Sequence, residues 1–103
     1  MLCERLRNTS ETLGDFAMLD LRGRLARKLL SFATEYGRAE NDRVRLDIRL
    51  SDTDLARFVG GTRETVNRQM KAWEKETVLM RRERDRGIVL IRLDVLRRLA
   101  GED

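Results

Sequence analysis

The sequence predicts a mainly α domain with a small β-sheet, arranged as a winged helix-turn-helix. Three observations lead there. Two amphipathic stretches are joined across Gly60-Gly61, an apolar–polar alternation precedes them, and two short apolar runs around a charged tip follow. A chain of 103 residues suits one compact domain with a modest core.

The elements follow in order. Leu2, Leu6, Thr9 and Leu13 recur at spacings of four, three and four, a short coiled-coil-like seam. Gly14-Asp15 weakens that helix, and "FAMLD" forms an apolar elbow. Asp20 then caps a second helix with Leu21, Leu25, Leu29, Phe32, Ala33 and Tyr36 on its inner face, ended by Gly37. "RAENDR" reads as a polar loop. In "VRLDIRL", Val44, Leu46, Ile48 and Leu50 alternate with Arg45, Asp47 and Arg49, which predicts a half-buried strand over 44–50.

Ser51 and Asp54 form a capping-box start for the helix "DTDLARFV", which turns Leu55, Ala56, Phe58 and Val59 inward. Gly60-Gly61 closes it and Thr62 caps the next helix. Lacking a Gly-rich run or a following Lys-Ser/Thr, the Gly pair is a turn rather than a phosphate cradle. "VLMRRERDRGIVLIRL" gives two strands around a charged tip, with Gly87 relieving the turn. Asp94 caps a last helix, "VLRRLA".

The stretch "GGTRETVNRQMKAWEKE" carries the chemistry. At the helical step of about 100° per residue, Val66, Met70 and Trp73 share one stripe. Glu64, Arg68, Lys71 and Lys75 lie opposite, with Asn67 at the edge and Arg63 in the first turn. Arg donates two hydrogen bonds to guanine O6 and N7, Glu accepts from cytosine N4, and amides at a helix N-terminus bind phosphate. The set suits duplex DNA, with Arg63, Glu64, Asn67 and Arg68 as base readers. Thr62, Thr65, Lys71, Arg82 and Arg84 are the candidate phosphate contacts. A charged outer face is equally what a winged helix used for protein docking would show, and operator-sequence dependence separates the two readings.

Composition narrows the classes. Net charge is +4, and residues 62–86 carry eight Lys/Arg against five Asp/Glu. This mild basic concentration fits an anionic partner. One cysteine and no histidine leave no disulfide framework, Cys/His zinc site or His-based triad within the chain, so an enzyme is not expected. No apolar run is long enough to span a bilayer, and the single thiol fits a reducing cytoplasm.

"LSDTDLARFVGGTRETVNRQMKAWEKE" resembles the helix-turn-helix of the cyclic-AMP receptor protein and fumarate–nitrate regulator family of bacterial transcription factors. Upstream, "RNTSETLGDFAMLDLRGRLARKLLSFA" is similar to that family's dimerisation-helix end, hinge and first DNA-domain helix. The resemblance implies three parts: 1–14 as the end of a dimerisation helix, 15–20 as a hinge, and 21–103 as the winged DNA-binding domain. It implies a homodimer on a palindromic site with half-sites of the TGTGA kind, seamed by Leu2, Leu6, Thr9 and Leu13, with RNA polymerase as a further partner.

Arg63, Glu64 and Arg68 match the base-reading positions of the cyclic-AMP receptor branch. Thr9 and Ser10 match positions that touch the nucleotide base in cyclic-AMP-binding members. The family's β-roll sensor, where a cyclic nucleotide or other effector would bind, is not in the sequence, so no cofactor is expected in this chain. The chain looks like a C-terminal fragment or a protein that has dispensed with its sensor. Thr77 stands where the family commonly has Gly. Val78-Leu79-Met80 replaces the usual Leu-Ile start of the wing. Either the helix runs longer or the wing enters by a different turn.

Overall fold

The computed structural model describes residues 13–82 and 87–101, and side chains from Leu21 onward. Among these residues the chain runs α1 (Leu13–Tyr36), β1 (Gly37–Glu40), β2 (Arg43–Leu46), α2 (Asp52–Val59) and α3 (Arg63–Lys75), then β3 (Leu79–Arg82), β4 (Gly87–Leu90) and α4 (Leu93–Leu99). The four strands form one antiparallel sheet in the order β1-β2-β4-β3, so the wing hairpin β3-β4 is continuous with the first hairpin. The seam residues Leu2, Leu6 and Thr9 lie outside the described residues, as does the side chain of Leu13. No described helix is long and apolar enough to cross a membrane.

Three backbone expectations are corrected. The elbow at 15–20 is helical, and Asp20 lies inside α1 rather than at an N-cap. Gly14 costs about 1 kcal/mol against Ala, but residues 15–20 contain neither Pro nor a β-branched side chain to extend that penalty. The polar loop "RAENDR" is mostly strand: Gly37–Glu40 pairs with Arg43–Leu46 around Asn41-Asp42. Asn41 takes the left-handed conformation (φ 60°) that Asn tolerates better than most residues. Gly37 ends α1 as expected and is at the same time the first residue of β1. A Cβ there would lie 2.2 Å from the Ala33 carbonyl oxygen and 2.8 Å from Val44 Cγ1. Close approach of backbone to backbone is why this residue is glycine.

The strand expected over 44–50 stops at Leu46. Its neighbours explain this: Gly37 is the first residue of β1 and pairs with Leu46, while β4 reaches Leu46 through Ile88, one residue from its start. Past that point no strand residue remains to pair with β2, and the hairpin closes on a single bond from Asp47 N to the Tyr36 carbonyl at 2.8 Å. Leu50 is buried all the same, and Ile48 packs partly against the core.

Leu21, Leu25, Ala26, Leu29 and Phe32 of α1 pack over Leu55, Ala56 and Val59 of α2 and over the inner faces of α3 and the sheet. Two aromatic expectations fail here. Phe58 is 53% exposed and Tyr36 42% exposed. Leu55, Ala56 and Val59 already make the inner stripe of α2, and Phe58 lies about 100° of helical rotation from its centre. Its ring meets Phe32 edge-on at 5.2 Å, beneath Lys28 Nζ at 5.3 Å. Tyr36 ends α1, beyond the last core turn, and tilts against Phe32 at 6.2 Å.

Two arginines of α1 anchor other helices. Arg24 Nε donates to the Val59 carbonyl at 2.7 Å, and Arg27 Nη2 to the Ala100 carbonyl at 3.0 Å. Each satisfies a carbonyl at a helix C-terminus, where the helix itself supplies no donor. α4 begins without the expected Asp94 cap. Arg92 holds the N-cap position and makes no side-chain cap hydrogen bond, while Asp94 is the second helical residue.

The end of α3 answers the first half of the Thr77 question: the helix does not run on, and Lys75 is its last residue. Val78 N donates to the Trp73 carbonyl at 2.8 Å and Thr77 N to the Glu74 carbonyl at 3.1 Å. These are the two bonds of a Schellman motif, and Thr77 occupies its left-handed position at φ 61°. A β-branched residue there is a genuine outlier.

Candidate nucleic-acid interface

The helix-turn-helix is built by two capping boxes and a glycine turn. Ser51 Oγ accepts from Asp54 N at 3.1 Å, and Asp54 Oδ2 accepts from Ser51 N at 3.1 Å, as the sequence predicts. Those bonds hold the Asp54 carboxyl below its ordinary 3.8. Gly60 closes α2 at φ 77°, and its N–H donates to the Ala56 carbonyl at 2.8 Å. Gly61 lets the turn approach α1, since a Cβ would lie 2.9 Å from Leu21 Cδ1.

Thr62 caps α3, with its Oγ1 accepting from Thr65 N at 3.1 Å. Thr65 Oγ1 accepts from Thr62 N at 3.2 Å and so takes the place of the more usual Glu. Both threonine hydroxyls therefore serve the cap, although Thr62 stays exposed. The first-turn N–H groups of Arg63 and Glu64 have no partner within the helix and face outward.

The two faces of α3 separate as the spacing predicts. Val66 and Met70 are 0% exposed and Trp73 1%. Arg63, Glu64, Arg68 and Lys71 are exposed, and among the described residues their side chains hold no hydrogen bond or ion pair. A folded core thus presents two guanidiniums, a carboxylate and an ammonium with no internal task.

Asn67 does not join them. Its Nδ2 donates to Asp52 Oδ2 at 2.6 Å. Asp52 Oδ1 accepts from Arg81 Nη1 at 2.6 Å, and Arg81 Nε donates to Glu74 Oε2 at 2.9 Å. The network ties the start of α2, the middle of α3 and the first wing strand, and it borders a cleft of about 540 Å³ that Lys71 also lines. Sequence reasoning missed it. The one available signal was that Glu74 lies a helical turn from Lys71 and two from Asn67, which puts it on the same side of α3.

The wing residues divide. Arg82 Nη2 donates to Glu40 Oε1 at 3.1 Å, and Arg45 Nε to Glu40 Oε2 at 2.9 Å, so the guanidinium of Arg82 is paired on the sheet's outer face. Val89 is fully buried on that face, flanked by its cross-strand partners Arg45 and Met80. Gly87 is the first residue of β4, opposite Arg82. Arg84 lies outside the described residues.

With this geometry in view, the profile of the Crp-like helix-turn-helix domain matches residues 23–99. The chain belongs to the Crp-like helix-turn-helix family. It is 37% identical over 70 residues to the CRP-like cAMP-activated global transcriptional regulator of Mycobacterium tuberculosis, a match covering 68% of this chain and 31% of that protein. It is 33% identical over 78 residues to the cAMP-activated global transcriptional regulator CRP of Salmonella typhimurium, covering 76% of this chain and 37% of that one.

Among solved structures, the CO-dependent transcription factor CooA from Carboxydothermus hydrogenoformans superposes with a TM-score of 0.74 at 26% identity, covering 92% of this chain and 43% of that one. A transcriptional regulator of the CRP/FNR family from Thermus thermophilus gives 0.69 at 25% identity, covering 98% of this chain and 50% of that one. The Crp-like chain therefore spans about a third of the length of the curated relatives it matches. Both the family resemblance read from residues 50–76 and the winged-helix architecture are borne out.

Proposed function

We propose that this Crp-like chain binds duplex DNA in a sequence-dependent way as part of a bacterial transcriptional regulator, with α3 in the major groove. The observation that carries the reading is the uncommitted set Arg63, Glu64, Arg68 and Lys71 on a helix locked by the Thr62–Thr65 cap and the buried Trp73. Arg63 and Arg68 are the guanine readers, Glu64 accepts from cytosine, and Lys71 meets phosphate. Thr62 and Thr65 present the first turn of α3 to the backbone of the DNA. Arg82 and Arg84 belong to a wing that follows the flanking phosphates, Arg82 by leaving Glu40. Asn67 is left out of the reading set, because its amide is committed to Asp52.

Two copies on a palindrome, seamed through Leu2, Leu6, Thr9 and Leu13, would read two half-sites of the TGTGA kind. Residues 1–14 then act as a dimerisation segment, 15–20 as a joint within a helix, and 21–103 as the DNA-binding unit. RNA polymerase is the downstream partner and the bacterial cytoplasm the working compartment. No catalysis is assigned to the chain. The relatives' names record activation by cAMP, and we assign effector binding to none of the described residues.

Selection of bound sequences from random duplexes tests the reading. A palindromic consensus that degrades at defined positions in Arg68→Ala and Glu64→Ala supports it. Equal binding to all duplexes would instead make the charged face a solvated one and favour protein docking.

A further inference from the structure

We propose that Asp52 is a specificity-determining residue that acts by withholding Asn67 and Arg81 from the DNA, given the reading of α3 as the base-contacting helix. Asn67 sits one helical turn from Arg63, Glu64 and Lys71. A free asparagine there would be placed to bond adenine N6 and N7, the commonest use of that side chain in a major groove. Only the amino end of its amide can face a carboxylate, and that end lies 2.6 Å from Asp52 Oδ2. The other carboxylate oxygen holds Arg81 at 2.6 Å, and Arg81 is held from its far side by Glu74. Both bonds to Asp52 involve an ionised acceptor, which makes them stronger than neutral ones. The Asp52 side chain is 15% exposed and that of Arg81 22%, so water screens the cluster less than it would an open surface pair.

Two consequences follow. Reading is confined to the first turn of α3 and Arg68, because the amide that would extend it is tied to α2. The cleft lined by Lys71, Arg81 and Arg82 also holds the carboxylates of Asp52 and Glu74, which offset the charge of Arg81 and add negative charge where a phosphate would approach Lys71. A repulsive charge beside the DNA path weakens binding to every sequence alike, which enlarges the share of affinity decided by base contacts.

The test is a four-way comparison: wild type, Asn67→Ala, Asp52→Ala and the double variant. Base preference is read by selection from random duplexes, affinity for non-cognate DNA across salt concentrations, and folding by thermal melting. Asn67→Ala alone should leave the preference of the wild type unchanged. Asp52→Ala should bind non-cognate DNA several-fold tighter with a steeper salt dependence. It should also gain a new preference at one base pair of the half-site, on the order of five- to a hundred-fold. The double variant should lose that new preference while keeping the steeper salt dependence.

A changed preference in Asn67→Ala alone would show that Asn67 already reads bases, and would overturn the role of Asp52. That role is equally overturned if Asp52→Ala folds but merely binds more weakly with unaltered preference. Should Asp52→Ala fail to fold, Asn67→Ala in the wild-type background remains decisive, and Asp52→Asn supplies the charge-free variant. A wild-type chain that selects no sequence would overturn both the reading of α3 and the role of Asp52, so the two failures are distinguishable.

Discussion

Replacing Thr77 with glycine should stabilise this protein, an unusual direction for a substitution in a well-packed turn. Thr77 holds φ 61° at the left-handed position of the motif that ends α3 and starts the wing. The left-handed conformation costs an L-residue about 1–2 kcal/mol, and glycine is free of that cost. Glycine gives back about 0.5–1 kcal/mol through the greater freedom of its unfolded chain. Those ranges leave a net gain of about 0–1.5 kcal/mol, about 0.75 at their middle, and for a domain of this size each kcal/mol moves Tm by about 4–8 °C. At that middle value Thr77→Gly should melt roughly 3–6 °C higher, read by far-ultraviolet circular dichroism.

Urea unfolding followed through Trp73, the one tryptophan of the chain, should show a raised midpoint with an unchanged slope. Thr77→Ala is the control, because alanine keeps most of the left-handed cost. A Thr77→Gly protein that melts at or below the wild-type temperature, with alanine indistinguishable from glycine, would refute the reasoning. The turn would then owe its shape to the Trp73–Val78 hydrogen bond and core packing alone.

Other outcomes follow from the same structure. Trp73→Ala should lose about 3–5 kcal/mol, since the indole is almost fully buried, and a variant that melts normally would undo the assignment of the inner face of α3. Arg68→Ala should cost roughly 1–3 kcal/mol on the preferred half-site and relax choice at one guanine. Lys71→Ala should weaken binding to all duplexes alike and reduce the salt slope by about one; uniform losses from both variants would remove α3 as the reader. Gly37→Ala should destabilise the first hairpin, because the new methyl would lie 2.2 Å from a backbone oxygen, and an unchanged melting temperature would contradict that packing. The Asp54 carboxyl is depressed by its bonds to Ser51, so its contribution is present above the unfolded value of 3.8 and lost as pH falls through the lower folded one. Asp54→Asn should show a shallower loss of stability in that acid range, and identical acid limbs for the two proteins would show that the ionised cap adds no stability.

Residue spacing alone accounts for the parts of this protein that obey local geometry. The Ser51–Asp54 capping box, the Thr62 cap, the Gly60 turn, the buried stripe Val66-Met70-Trp73 and the exposed Arg63, Glu64, Arg68 and Lys71 follow from positions along a helix whose period is the same in any fold. Packing between elements settled the rest. α1 stays helical through 15–20, and β2 ends where its neighbouring strands end, which no property of residues 44–50 records. Phe58 and Tyr36 are as apolar as the residues beside them, yet which face of α2 and which turn of α1 meet the core depends on what packs opposite. Asn67 shows the same division most sharply. Helical spacing puts it beside the base readers, and a carboxylate fifteen residues earlier in the chain, brought to 2.6 Å by the fold, takes its amide. Periodicity sets the direction in which a side chain leaves its own helix, whereas its partner is set by distances between elements that no local repeat contains.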